Sequence, residues 1–243
     1  MEREEILAVS GISKRYAKQQ PVWSNISFGL ARGEALGIRG SNGAGKSTLL
    51  RVLAALERPQ EGKVLFLGED IFRGTGKRQY RAVLGYVPQE IALYPELSGY
   101  ENLRFFGRAN HVARGLLEER ILQLCTDIGL QEETLRKRTG LCSGGIKRRL
   151  NLAAALLHDP QIVLLDEPVV GIDEASKEAI LTELKKRREK GVSMIYVGHE
   201  EQEIAAVCTR RVRLEEGKWL EDGTIVECRE AGKGETVSRT GTV

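Results

Sequence analysis

Apolar and polar positions alternate along "ILAVSGISKRY", "VWSNISFGL" and "EALGIRG", the two-residue period of half-buried strands. "GKVLFLGEDI" reads as a further strand, with a turn expected at Gly62. Between them "STLLRVLAALERP" changes to helical spacing and is expected to stop before Pro59. From about Leu93 to Leu141 the apolar residues fall at three- and four-residue spacing, with helices predicted over "YENLRFFGRANHV" and "LLEERILQLCTDIGL". Another helix is predicted over "IKRRLNLAAALLHDP", where Ile146, Leu150, Ala153, Ala154 and Leu157 share one face. "QIVLLDEP" is a continuous apolar run ending in acids, the pattern of a buried parallel strand. "EASKEAILTELKKRREKG" is an amphipathic helix ending at Gly191, "VSMIYVGH" a second buried strand, and "RVRLEEGKWLEDGTIV" a hairpin. Strands alternating with helices give an α/β chain, a parallel core sheet wrapped by helices.

Composition narrows the class. An apolar fraction of 41% in 243 residues supplies a full core. A net charge of +3 argues against a molecule that binds nucleic acid by its overall charge. The start, "MEREEILAV", is acidic and lacks the apolar stretch of a secretory signal. No run approaches the ~18 apolar residues of a bilayer span, and "IVLLDEPVVGI" is interrupted by Asp166 and Glu167. A soluble or peripheral protein is expected. Cys125, Cys142, Cys208 and Cys228 form no C-x-x-C pair, so reduced thiols in a cytoplasmic protein are expected rather than a zinc site.

The clearest chemical signal is "GSNGAGKST", which fits G-x-x-x-x-G-K-[ST] from Gly40 to Ser47 between a strand and a helix. Gly40, Gly43 and Gly45 let the backbone turn its N–H groups, with those of Ser41, Asn42 and Ala44, toward phosphate oxygens. Lys46 adds a mobile charge for the β- and γ-phosphates, and Ser47, with Thr48 beside it, can ligate Mg²⁺. Asp166 and Glu167 close the "IVLLDEP" strand, at the sheet edge where ligands bind. Beside a phosphate loop they suit a Mg²⁺ shell (Asp166) and a general base (Glu167); alone they read equally as a solvated turn. A second Gly-rich helix start, "LCSGGIKRR", has Ser143 as an N-cap candidate and a first turn left open by Gly144 and Gly145. It has no lysine in the phosphate-loop position. It is either half an anion site or a capped helix with a flexible start.

Phosphate loop, "YVPQE", "CSGG", "IVLLDEP", "GID" and "GHE", in this order and spacing, resemble the nucleotide-binding subunit of an ABC transporter, over nearly the whole chain up to about Gly223. The wording around "SGGIKRRLNLA" and "ENLRFFGR" is most similar to the ATPases of drug and polysaccharide exporters. The resemblance implies a P-loop NTPase fold with an N-terminal antiparallel β subdomain and a helical subdomain at about 90–155, all within one domain at 1–223. A polar tail at 224–243 follows. It further implies that Gln89 senses Mg²⁺ or the γ-phosphate, that His199 is the switch histidine, and that Tyr16 stacks on adenine. Asp173 would lie in a loop across a dimer interface, or cap the following helix, or both. Ser143, Gly144 and Gly145 would meet the γ-phosphate held by another subunit. Cys142 and Ile146 depart from the family's usual Leu and Gln, and Gly198 stands where a hydroxyl residue often precedes the histidine.

The implied function is Mg·ATP hydrolysis by a dimer, homodimer or paralogue pair, driving separately encoded permease subunits from the inner face of the cell membrane, in the export direction. Direct nucleic-acid binding is not expected. The alternative is a soluble ATP switch acting on nucleic acid or ribosomes; a GTPase is disfavoured by the lack of N-K-x-D. The basic runs 147–149 and 185–190 read as solvated faces, and His111 and His158 as surface residues.

Overall fold

The computed structural model describes residues 4–16 and 21–224. In chain order they form β1 (Glu5–Lys14), β2 (Trp23–Ala31), β3 (Ala35–Arg39), α1 (Lys46–Leu53), β4 (Glu61–Phe66), β5 (Glu69–Asp70), α2 (Gly74–Val83) and β6 (Leu84–Val87). There follow α3 (Gly99–Ala109), α4 (Arg114–Asp127), α5 (Glu132–Leu135), a 3₁₀ turn at Thr139–Leu141 and α6 (Gly144–Leu156). The chain continues through β7 (Ile162–Asp166), α7 (Glu174–Glu189), β8 (Ser193–Val197), α8 (Glu201–Val207), β9 (Arg210–Glu215) and β10 (Lys218–Thr224).

Two sheets result. One is antiparallel, in the order β2-β1-β4-β5. The other runs β10-β9-β3-β8-β7-β6, parallel throughout except for the β9–β10 hairpin at its edge. Successive side chains on a strand point to opposite faces, so a strand buried on both faces reads as an uninterrupted apolar run. β7 does this: Ile162 and Leu164 join a core shared with the antiparallel sheet and α1, while Val163 and Leu165 join one shared with α3, α4 and α6. All strands of the parallel part end toward one edge, where the loops after β3, β7 and β8 meet.

One local expectation is corrected and another is met. Gly62 lies inside β4 rather than at a turn; the register with β1 breaks between Ser10 and Ser13, and Gly62 sits in this bulge at φ 82°. The turn comes instead at Leu67–Gly68. Helix α1 ends at Leu53, short of Pro59. Leu56 N–H bonds Arg51 O (3.0 Å) and Ala55 N–H bonds Val52 O (3.0 Å), with Ala55 at φ 54°. This is a Schellman stop built on alanine rather than the usual glycine. α2, β6 and α8 add to the elements expected from the sequence. The tail expected at 224–243 and Cys228 lie outside the described residues, apart from Thr224; Cys125, Cys142 and Cys208 are free and buried. Among the described residues no helix is long and apolar enough to cross a membrane.

Candidate active site

The turn from β3 into α1 is residues Gly40–Gly45. Gly45 is the N-cap of α1, at φ 92° and ψ 15°, and no side chain caps the helix. The first amides of a helix have no partner within it, so those of α1 are left as donors for an anion. A side chain at position 45 is barred: its Cβ would lie 2.4 Å from Val22 Cγ1 and 2.8 Å from Trp23 Cδ1. Trp23 is fully buried beneath the loop and its Nε1–H donates to Gly45 O at 3.3 Å. Lys46 Nζ donates back to Gly40 O (2.8 Å) and Ser41 O (3.0 Å). Burial lowers the pKa of this ammonium, opposed by the charges of Glu167 and Asp166. The loop lysine is thus already gathered over the loop and faces the acidic pair.

Asp166 ends β7 and is buried. Ser47 Oγ donates to its Oδ1 at 3.2 Å across 119 residues of chain. Burial raises the Asp166 pKa, with the Glu167 charge acting the same way and the Ser47 hydrogen bond opposing. Glu167 adopts φ 50°, a left-handed backbone that non-glycine residues take at a cost of about 1 kcal/mol or more. Its N–H still bonds Val197 O at 3.0 Å, and the twist aims its carboxylate across the sheet edge. There Gln89 Nε2–H donates to Oε2 (2.9 Å), and His199 Nε2 lies 2.7 Å from Oε1. Lys46, Ser47, Gln89, Asp166, Glu167 and His199, from four separate loops, therefore form one constellation.

The second Gly-rich turn is elsewhere. Ser143 is the N-cap of α6, its hydroxyl accepting from Ile146 N–H at 3.4 Å, and Ser143 and Gly144 are exposed. Among the described residues no hydrogen bond joins 143–145 to the phosphate loop. Gly145 is not there for openness. A Cβ would lie 2.5 Å from Ser176 Oγ and 2.7 Å from Asp173 Oδ2, so glycine is what lets α6 pack on the start of α7. Asp173 caps α7: Ser176 N–H (2.9 Å) and Oγ–H (2.8 Å) donate to its two carboxylate oxygens. These bonds hold its pKa below the ordinary carboxylate value.

The departures from the common motif have local causes. Cys142 is buried and its Sγ lies 3.5 Å from Arg138 O; Ile146 packs on the helical core. Gly198 has no room for a side chain, since a Cβ would approach Tyr196 Cε1 to 2.6 Å. Tyr16 is tied by its hydroxyl, which donates to Glu57 Oε2 (2.8 Å) and accepts from Arg51 Nη2 (2.9 Å); Arg51 also reaches Thr48 Oγ1 at 3.4 Å. The tyrosine is therefore anchored to α1.

Three expectations about charged residues are corrected. The run 147–149 is not a solvated face. Arg148 donates to Gln89 O, Arg149 to Gly129 O (2.7 Å) and Lys147 to Gly140 O (3.1 Å). Burial lowers the Arg148 pKa, opposed by Glu167 and Asp166. In 185–190, Lys185, Lys186, Glu189 and Lys190 are exposed as expected, but Arg188 is buried and donates to Val207 O (2.9 Å), and Arg187 pairs with Glu183 (2.7 Å). His158 is half-buried, with Nε2 3.0 Å from Leu84 O, whereas His111 is exposed as expected.

A family model described as ABC transporter matches residues 23–170. The linearmycin resistance ATP-binding protein LnrL of Bacillus subtilis (strain 168) is 37% identical over 233 residues, 96% of this chain and 73% of that protein. The Nod factor export ATP-binding protein I of Rhizobium sp. (strain N33) is 36% identical over 216 residues, 89% of this chain and 70% of that protein. Among solved structures, an ATP-binding subunit of an ABC transporter superposes with a TM-score of 0.80 at 28% identity, covering 89% of this chain and 90% of that one.

Proposed function

The chain belongs to the ABC transporter family, as an ATP-binding subunit whose ATPase activity is coupled to transport, and from this premise we propose how its residues divide the work. Two subunits bind two ATP molecules between them, each nucleotide held by one subunit's phosphate loop and covered by the other's 143–145 turn. Closure and reopening drive separately encoded permease subunits at the inner face of the membrane. The direction in this reading is export, supported by the Nod factor export protein's name, although a phosphonates import ATP-binding protein of Treponema denticola is also 34% identical. The observation that carries this reading is the division of parts. Lys46, Asp166, Glu167, Gln89 and His199 converge on one edge, while the exposed Ser143–Gly144 turn lies apart from it in the same chain.

Lys46 exchanges its contacts with Gly40 O and Ser41 O for phosphate oxygens, and the uncapped amides of α1 receive the rest of that charge. Tyr16, anchored through Arg51 and Glu57, offers its ring to adenine. The donors named for Mg²⁺, from Ser47, Asp166 and Gln89, are all oxygen, which suits a hard cation, and the first two lie 3.2 Å apart. Among the described residues no cluster of three or more His, Cys, Asp or Glu side chains could hold a metal ion, and in this reading phosphate oxygens would supply further ligands. Bound there, Mg²⁺ would offset phosphate charge.

Glu167 orients the attacking water and takes its proton. In the structure both its oxygens are engaged, by Gln89 and by His199. The γ-phosphate competes for those two donors: His199 Nε2–H and the Gln89 amide turn to it, and Glu167 is freed for water. Catalysis then rests on positioning and charge, and Ser143 of the other subunit adds its hydroxyl and helix N-terminus. Copurification from the source cells tests the transport assignment. A multi-helix membrane protein recovered with the full chain supports it; nucleic acid or ribosomes recovered instead overturn it.

A further inference from the structure

Helix α6 carries the outward-facing 143–145 turn at one end, yet its next turn reaches back into the chain's own catalytic edge. Arg148 lies four residues beyond Gly144, about 6 Å along the helix axis, and its guanidinium donates to the main-chain carbonyl of Gln89. Asn151, three residues further on the same face, accepts from Ala92 N–H at 3.2 Å. One rigid helix thus grips the 89–92 segment at two points. That segment carries Gln89, whose amide holds Glu167 at 2.9 Å. The Arg148 charge is half-buried and faces Asp166 and Glu167. Gly145, three residues before Arg148, sets the start of the helix against the Asp173 cap of α7.

We propose that Arg148 is a positioning residue that links the 143–145 turn to Gln89, and through Gln89 to Glu167, within one subunit. The link rests on the reading of Glu167 and Gln89 given above. When the turn meets the phosphate of the opposite subunit, α6 shifts as a body and carries the Gln89 backbone with it. Gln89 then releases or regains the Glu167 carboxylate. Each site's hydrolytic state is thereby tied to whether its subunit's turn is engaged across the interface. An arginine suits this task because its planar fork keeps a fixed direction to a carbonyl while its charge stays toward two carboxylates.

The test is a double-mutant cycle in the full chain, read as kcat and KM for Mg·ATP. Arg148→Ala is expected to lower kcat about tenfold with KM within about twofold, because ground-state binding of ATP is untouched. Arg148→Ala added to Gln89→Ala is expected to cost nothing further, since both act through one contact. Arg148→Lys, which keeps a donor and a charge, recovers part of the rate. An unchanged kcat in Arg148→Ala, a loss appearing only in KM, or a double variant slowed by the product of the two single effects overturns the link. Should Arg148→Ala fail to fold, Arg148→Met retains the aliphatic stem and takes its place in the cycle. If Glu167→Gln and Gln89→Ala also turn over normally, the assignment of the site falls with the link. If those two are slowed and Arg148→Ala is not, the link alone falls.

Discussion

Glu167 stands in a left-handed backbone, with Gln89 Nε2 at one carboxylate oxygen and His199 Nε2 at the other. In the proposed mechanism His199→Ala removes one donor to the transition state. The expected loss is on the order of 10²–10³ in kcat, with nucleotide binding retained, measured by phosphate release and fluorescent-nucleotide titration. A second residue-scale outcome concerns His158. Burial lowers its pKa from the ordinary value of 6.5, opposed by the hydrogen bond to Leu84 O. A histidine depressed in the fold contributes stability above its unfolded pKa and loses it as pH falls through the folded value. Melting temperature should therefore drop as pH falls below about 6.5, and His158→Asn should drop less, by differential scanning fluorimetry. At this scale the glycines, Lys46 and Asp166 were legible because phosphate chemistry fixes both type and spacing. Arg148 and His158 were not. A basic run or an isolated histidine looks the same in sequence whether it meets water or a carbonyl brought from 59 or 74 residues away.

Helices α1 and α6 both begin with glycine-rich turns, and their N-termini differ in one respect. α1 has no side-chain cap; α6 has Ser143. The first leaves its amides for a ligand, while the second satisfies Ile146 N–H itself and presents a hydroxyl and an exposed glycine. Gly145 in the second turn is a packing residue. Gly145→Ala is expected to destabilise the chain by about 1–3 kcal/mol, because its methyl group meets Asp173 and Ser176. Urea denaturation measures this, and Gly144→Ala, whose nearest neighbour is Gly171 O at 3.8 Å, should cost less. The long periodic elements were legible: β7 and β8 as unbroken apolar runs, and α7 up to its stop at Gly191. α2, with Gly74 and Gly76 and three basic residues in ten positions, carries little helical signal, and its burial rests on Tyr80 under α1. The start of α3 was signalled by an S-x-x-E capping box, Ser98 with Glu101, that the periodicity reading passed over.

For the whole molecule, the parallel sheet gathers loops from β3, β6, β7 and β8 at one edge, and the turn on α6 stays outside that gathering. Among the described residues no hydrogen bond joins that turn to the phosphate loop, and this separation is what the proposed ATP-bridged pair uses. In the proposed mechanism differential affinity of ATP for the closed pair supplies the work delivered to the permease, since a ligand shifts an equilibrium only by as much as it prefers one state. The α/β class and its order of motifs were legible from the alternation of runs. The inward turn of Arg148 and the engagement of both Glu167 oxygens needed coordinates, because they depend on side-chain direction between elements far apart in sequence. Light scattering on the size-separated full chain carrying Glu167→Gln, with Mg·ATP, tests the claim of a shared ATP site most directly. The expected result is a dimer with ATP, a monomer with ADP, a monomer when Lys46→Ala is added, and little turnover. A Glu167→Gln chain that stays monomeric in saturating Mg·ATP, or that hydrolyses it at the normal rate, contradicts the claim.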